Sequence, residues 1–419
     1  MKPWRSTFLT NGVIFAAGLV GGVLAARFLG AEDRGLLAAI TYWPHFIAGV
    51  AAMGLNEGIV IRTAKSGTTA TLRATTFAIS LGLALLLGVI GYYLMPILLS
   101  ESRQDYLLFS QLYFLVFLPF TFLAMNFLAV DQGELKFHHF NRQRIIQAVA
   151  YPLLLLGLWL VGILTVEFAA IAVLSGTVIV ALLRVWNARS GLTKRPSLIE
   201  ARQLFVMSFR LHLVNMVTFL AMQIDQMTLV FFSNNTQLGL YVVAFTSAGA
   251  VQSLFVTTYI NIMLPTAAKI GSEKENIEEI LVPLRKLLGI IMLCSIFLVF
   301  FVPYLIYFIF GAEFKSAGVY AQILVLAFLF VGTKKVLIYL LRSWRLNQLA
   351  IFSEGFTALV LISGSYLAIH WWGTIGLCVL VLLAHATGAM LLVYYFLKIT
   401  GLRLKNFVQV GPIIIKNKL

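Results

Sequence analysis

Two adjacent lysines, Lys334 and Lys335, interrupt the apolar run FLFVGTKKVLIYLLRSWRL, residues 328–346. Ammonium groups at such a position either hold an anion or pair with an acid, and a low dielectric strengthens both interactions. Seven residues separate Lys335 from Arg342 and eleven separate Lys334 from Arg345, so a helix would align them in a basic ladder on one side. Arg210, near the end of another apolar run, is a further anion-binding candidate. The competing reading is that both lysines snorkel to the membrane surface or pair with acids, and Glu354 lies at a similar expected depth.

A second set lies in VNMVTFLAMQIDQM, where Asn215, Thr218, Met222, Asp225 and Gln226 recur at three- and four-residue steps as one polar stripe. Asp225 either titrates or binds a cation, which would couple the protein to an H+ or Na+ gradient, or hydrogen-bonds across helices as structure. Glu57 is a cavity-lining candidate, with a hydrogen bond to Arg62 as the alternative. His45, directly after Pro44, and His385 are each a proton relay or a packing residue. The pair His138 and His139 falls in a loop. Neither they nor the two cysteines, Cys294 and Cys378, has ligand spacing, so no metal centre and no disulfide framework is expected.

The elements that position these residues follow from composition. Of 419 residues 60% are hydrophobic and 11% charged, with a mean hydropathy of +0.94. Soluble domains carry about 25% charge. The chain is therefore an all-α polytopic membrane protein, because helices of roughly 20 residues span the hydrocarbon core with every backbone group satisfied. Twelve spans are expected, near 7–29, 36–61, 74–99, 106–130, 143–164, 166–187, 208–232, 239–265, 286–310, 319–341, 347–371 and 375–397. The first is too long, and precedes too many others, to be a cleaved signal.

Positive charges resist translocation, so Lys and Arg report orientation. With the N-terminus inside, 25 of them are cytoplasmic and four (Arg27, Arg34, Arg103, Lys315) are outside, which places both termini in the cytoplasm. The asymmetry accounts for most of the net charge of +15 without a nucleic-acid partner. A shift of 204 residues superimposes ARFLGAEDRGLLAAI on VFFSNNTQLGLYVVA, matching Phe28 to Phe232, Gly35 to Gly239 and Leu36 to Leu240. It also brings TAKSG onto AAKIG and Glu57 onto Asn261. The repeat is parallel, with a six-helix lobe over 1–187, a basic cytoplasmic linker over 188–207, a second lobe over 208–398 and a cytoplasmic tail over 399–419.

The corner ARFLGAEDRGLLAAI, the AKSG that closes the second span, and IDQMTLVFFSNNTQLGLYVVAF resemble the polysaccharide or O-antigen flippases of the multidrug, oligosaccharidyl-lipid and polysaccharide exporter superfamily. The resemblance implies two lobes around a central cavity, alternating access, and a bacterial cytoplasmic membrane. It also implies a glycan on polyprenyl diphosphate as substrate, moved from the cytoplasmic to the outer leaflet, with a polymerase and glycosyltransferases as possible partners. The ladder has the charge to hold a diphosphate. Two alternatives compete. A cation-coupled multidrug exporter of the same superfamily would want an acidic cavity, whereas the deepest cluster here is basic. A membrane-embedded glycosyl- or acyltransferase would need catalytic acids or histidines at a membrane face and a sizeable extramembrane loop, and no such loop is expected.

Overall fold

The computed structural model describes residues 3–402 except 53, 251–255, 257–276 and 345, and among the described residues all regular structure is helical. The helices are α1 (Pro3–Ala51), α2 (Leu55–Ser66), α3 (Ala70–Leu98), α4 (Leu107–Gly133), α5 (Phe137–Leu160), α6 (Val166–Leu192), α7 (Leu198–Ala221), α8 (Ile224–Phe232), α9 (residues 235–250), α10 (Ile277–Phe310), α11 (Ala317–Ser343) and α12 (Asn347–Thr400). A short 3₁₀ turn, Glu101–Tyr106, joins α3 to α4. The chain divides into two compact units, Met1–Val242 and Val243–Leu419.

Eight of the described helices are long and apolar enough to cross a membrane. At about 1.5 Å per residue, α1 and α12 would each far exceed a hydrocarbon core of about 30 Å if straight. Each instead turns at a glycine with positive φ: Gly30 (φ 77°) in α1 and Gly373 (φ 62°) in α12. Those two corners double the helices into the expected first and second spans and the expected eleventh and twelfth. The seventh span falls on α7 with α8 and the eighth begins in α9, whose continuation lies outside the described residues.

Local chemistry fixes several boundaries. Thr69 accepts from Leu72 N at 3.0 Å to start α3, Thr165 accepts from Phe168 N at 3.4 Å to start α6, and Ser197 accepts from Glu200 N at 3.3 Å to start α7. Two expectations need correction. The second span breaks near Gly54, in the left-handed region, so α2 is a separate helix. The basic segment expected as a linker is mostly helical, because α6 runs to Leu192 and α7 starts at Leu198. Pro44 keeps helical dihedrals, and the one non-helical point of α1 is Gly30.

In the first unit α1 packs on α5, α3 on α4, and α4 on α6 around Phe114, Phe122 and Phe127. Two ion pairs bind helices there: Asp131 of α4 with Arg184 of α6 at 2.6 Å, and Arg62 of α2 with Glu200 of α7 at 2.9 Å. Arg184 is buried and also donates to Phe127 O. Arg103, one of the four cations assigned to the outer side, is 1% exposed. Its guanidinium donates to Asn235 Oδ1 at 2.6 Å, to Ser233 O at 3.0 Å and to Val230 O. It thereby satisfies the carbonyl end of α8, where a cation suits the helix dipole.

Gly35 and Gly239, matched by the 204-residue shift, are in contact. A Cβ on Gly35 would lie 1.7 Å from Asn235 O and 2.8 Å from Gly239 N, and a Cβ on Gly239 would lie 2.0 Å from Ala31 O and 3.0 Å from Gly35 N. The 204-residue shift maps 31 to 235 and 35 to 239, so each glycine meets the counterpart of what the other meets. Such reciprocity is the mark of a local two-fold axis passing between the glycines. Small residues let the two backbones touch. In the second unit α11 packs against α10 and α12.

Candidate functional site

The expected site residues fall into two clusters, one in each unit. In the second unit, Lys334 leaves α11 and is 1% exposed. Its Nζ donates to Glu354 Oε2 and to Thr357 Oγ1, each at 3.0 Å, both on α12. Glu354 is thus the partner of Lys334. Thr357 was missed, although it follows Glu354 by three residues and so shares its helical face. Lys335, one residue on and about 100° around the helix, is less buried and makes no hydrogen bond among the described residues. Arg342 lies two turns further along α11, with its guanidinium 5.6 Å from the Tyr339 ring centre. Because α11 ends at Ser343, the ladder is helical only as far as Arg342. Arg345 lies outside the described residues, as do Asn261, the AAKIG segment and the tail beyond residue 402. His385, on the later part of α12, is 3% exposed, and its Nδ1 has no hydrogen-bond partner among the described residues.

The electrostatics of this cluster follow from pairing. A buried charge is tolerated only when paired and hydrogen-bonded, and Lys334 meets both conditions through Glu354 and Thr357. The three ionisable groups Lys334, Lys335 and Glu354 therefore leave one positive charge in excess at Lys335.

In the first unit the polar stripe is divided. α7 stops at Ala221 and α8 restarts at Ile224, so Asn215 and Thr218 stand on one helix and Asp225 and Gln226 on the next. No proline or glycine causes this break. Asp225 accepts its neighbour's amide, Gln226 N, at 2.8 Å, a side-chain bond that competes with the helical ladder. Tyr241 of α9 donates its hydroxyl to Asp225 Oδ2, and Tyr42 of α1 donates to Gln223 O at 2.9 Å within the break. Both tyrosines were missed. Glu57 is exposed and accepts from Asn215 Nδ2 at 3.3 Å, while Arg62 is taken by Glu200, not by Glu57. His45 is exposed, bonded to Thr41 O at 2.7 Å, with its ring 4.4 Å from that of Phe117. Arg210 lies on α7; its side chain is outside what the structure describes.

Asp225 holds Tyr241 and the start of α8 together, which makes a direct expectation. Asp225→Ala removes an acceptor of the buried Tyr241 hydroxyl and that of the Gln226 amide, at about 1–3 kcal/mol each, whereas Asp225→Asn keeps one carbonyl oxygen for them. Thermal unfolding in detergent is expected to show a larger fall in Tm for the alanine variant. Equal falls would mean that the carboxylate does not organise the break.

Comparisons with known proteins bear on this arrangement. A model of the family described as "Polysaccharide biosynthesis protein" matches residues 23–319. No curated protein matches the chain. Among solved structures, the lipid II flippase MurJ in an inward closed conformation superimposes with a TM-score of 0.75 at 14% identity, over 97% of this chain and 89% of that one. An inward-facing multidrug resistance MATE transporter gives 0.65 at 13% identity, over 94% and 95%. A transporter of the same superfamily from Pyrococcus furiosus gives 0.60 at 15%, over 95% and 94%. At these identities the likenesses establish a shared multi-pass transporter fold.

Proposed function

The chain belongs to the family of polysaccharide biosynthesis proteins, and on that premise we propose that it is a flippase for a glycan carried on polyprenyl diphosphate. It moves this substrate from the cytoplasmic to the outer leaflet of a bacterial cytoplasmic membrane by alternating access, with both termini inside. The observation that carries the reading is the excess charge at Lys335 in a membrane helix, continued by Arg342. An intramembrane cation of this kind is expensive and is kept for a ligand or a partner. Lys334 has a partner, so Lys335 is the one offered to a diphosphate. A polymerase and glycosyltransferases would supply and consume such a substrate.

The test is the leaflet distribution of lipid-linked saccharides in cells with and without the protein, backed by purified protein in vesicles. Loss of the protein is expected to leave the saccharide on the cytoplasmic leaflet. Lys335→Gln is expected to insert and fold normally while reducing flipping by about tenfold or more, as loss of one charge-assisted contact of roughly 1.5–3 kcal/mol predicts. Unchanged flipping by that variant would remove Lys335 from the substrate site.

One observation favours a second reading. Asp225 is a buried carboxylate beside a helix break, which suits coupling to a cation gradient or export of a cationic drug. An unchanged saccharide distribution, together with altered sensitivity to cationic drugs, would favour that exporter.

A further inference from the structure

Away from both clusters, α2 and α7 enclose a groove of about 830 Å³ in the first unit. Its walls are apolar, with Ile61 on α2 and Ile199, Val206 and Met207 on α7, and each helix adds one cation to the lining, Lys65 from α2 and Arg202 from α7. Both cations are exposed. The acid nearby in sequence, Glu200, is tied to Arg62 at 2.9 Å, so the groove's positive charge is not neutralised from within. The distribution of Lys and Arg puts this end of α2 and α7 at the cytoplasmic surface.

The apolar wall does not stop at the groove. Ile199, Val206 and Leu213 follow one another at seven-residue intervals along α7, as do Arg202 and Phe209, so a stripe climbs the helix from the cations into the hydrocarbon region. Val206 and Phe209 are 55% and 63% exposed. A ligand matching this surface has a compact, multiply charged anion at one end and a long hydrocarbon at the other. The groove is of ligand size, within the usual range of about 300–1,000 Å³, and larger than a single phosphate requires. Arginine binds phosphate oxygens with a two-pronged fork and lysine as a point charge. Gln203, also on the wall, adds an amide for polar groups beyond the anion.

We propose that this groove is a capture site in which a prenyl diphosphate headgroup docks between Lys65 and Arg202, with its first isoprene units on the Ile199, Val206 and Phe209 stripe, before transport begins. The inference rests on the flippase reading and adds a second, peripheral station to it. Lys65 and Arg202 select the diphosphate at the leaflet surface, whereas Lys335 acts within the membrane.

The experiment uses the full-length protein in phosphatidylcholine nanodiscs and measures binding of a fifteen-carbon prenyl diphosphate. Four proteins are compared: wild type, Lys65→Gln/Arg202→Gln, Lys65→Arg/Arg202→Lys, and Lys335→Gln. The double glutamine variant is expected to bind about tenfold or more weakly, in line with charge-assisted bonds of roughly 1.5–3 kcal/mol. The charge-keeping swap should stay within about threefold of wild type, a cost below ~1 kcal/mol, and Lys335→Gln is assayed for flipping. Binding by the double glutamine variant equal to wild type, with flipping lost in Lys335→Gln, would overturn the capture site and leave the flippase reading standing. No prenyl diphosphate binding by wild type, with an unchanged saccharide distribution in cells, would overturn both. Phosphatidylglycerol in the disc competing as well as the diphosphate would make this a general anionic-lipid surface and would overturn the selectivity proposed.

Discussion

Lys334→Met alone, and Glu354→Leu alone, are each expected to destabilise the second unit by roughly 3–5 kcal/mol, because each leaves the other charge buried without its counterion. The pair sits at 2–3% side-chain exposure with 3.0 Å between Nζ and Oε2, so neither charge can reach water by a small movement. Combining the two substitutions removes both charges, and apolar side chains of similar size can fill the site. The double variant is therefore expected to recover most of the lost stability, which unfolding in detergent would register as a positive coupling in a double-mutant cycle. Transport separates two roles for Lys334. If its task is to anchor α11 to α12 and so present Lys335, the double variant flips substrate at close to the wild-type rate. A double variant that is stable but inactive would show that Lys334 meets the substrate itself. Single variants as stable as wild type would show that the ion pair does not hold the helices.

Gly35→Val is expected to suppress transport without preventing membrane insertion. The present contact leaves no space for a side chain, since even a Cβ would lie 1.7 Å from Asn235 O. The helices beginning at residues 31 and 235 would have to separate, and overpacking of this kind carries about 1–3 kcal/mol. At tenfold per ~1.4 kcal/mol, that shifts the balance between touching and parted helices by up to about a hundredfold. Hydrogen exchange is expected to accelerate in the first turns of both helices, and flipping in vesicles to fall in parallel. Because the contact is reciprocal, Gly239→Val should reproduce both effects at similar size. Wild-type flipping by either variant would mean that the close approach is no part of the working cycle.

Most of the described spans were legible in the sequence because hydropathy governs what a bilayer accepts, and Gly30 and Gly373 fall between runs that had been separated on that basis. The partner of Lys334 was legible from depth, since Glu354 was the acid at the matching level. The 204-residue shift identified Gly35 and Gly239 as equivalent, yet equivalence says nothing of adjacency, and only the structure shows them touching. The break before Asp225 was illegible for a physical reason. It arises from a side chain competing for a backbone amide and from tyrosines far off in sequence, not from proline or glycine. The contacts of Arg103 and Arg184 were illegible, because a count of charges by side says nothing of partners, and these two are consumed by helix-end carbonyls and by Asp131.

A surface that contacts its own counterpart about a two-fold axis is what a homodimer presents to itself. In this chain both surfaces belong to one polypeptide, so a substitution at Gly35 is felt once and leaves Gly239 as it was, and the two sides of the contact are free to differ. Position 235 carries an asparagine whose oxygen receives Arg103 at 2.6 Å, while position 31 has an alanine with no side-chain oxygen to offer.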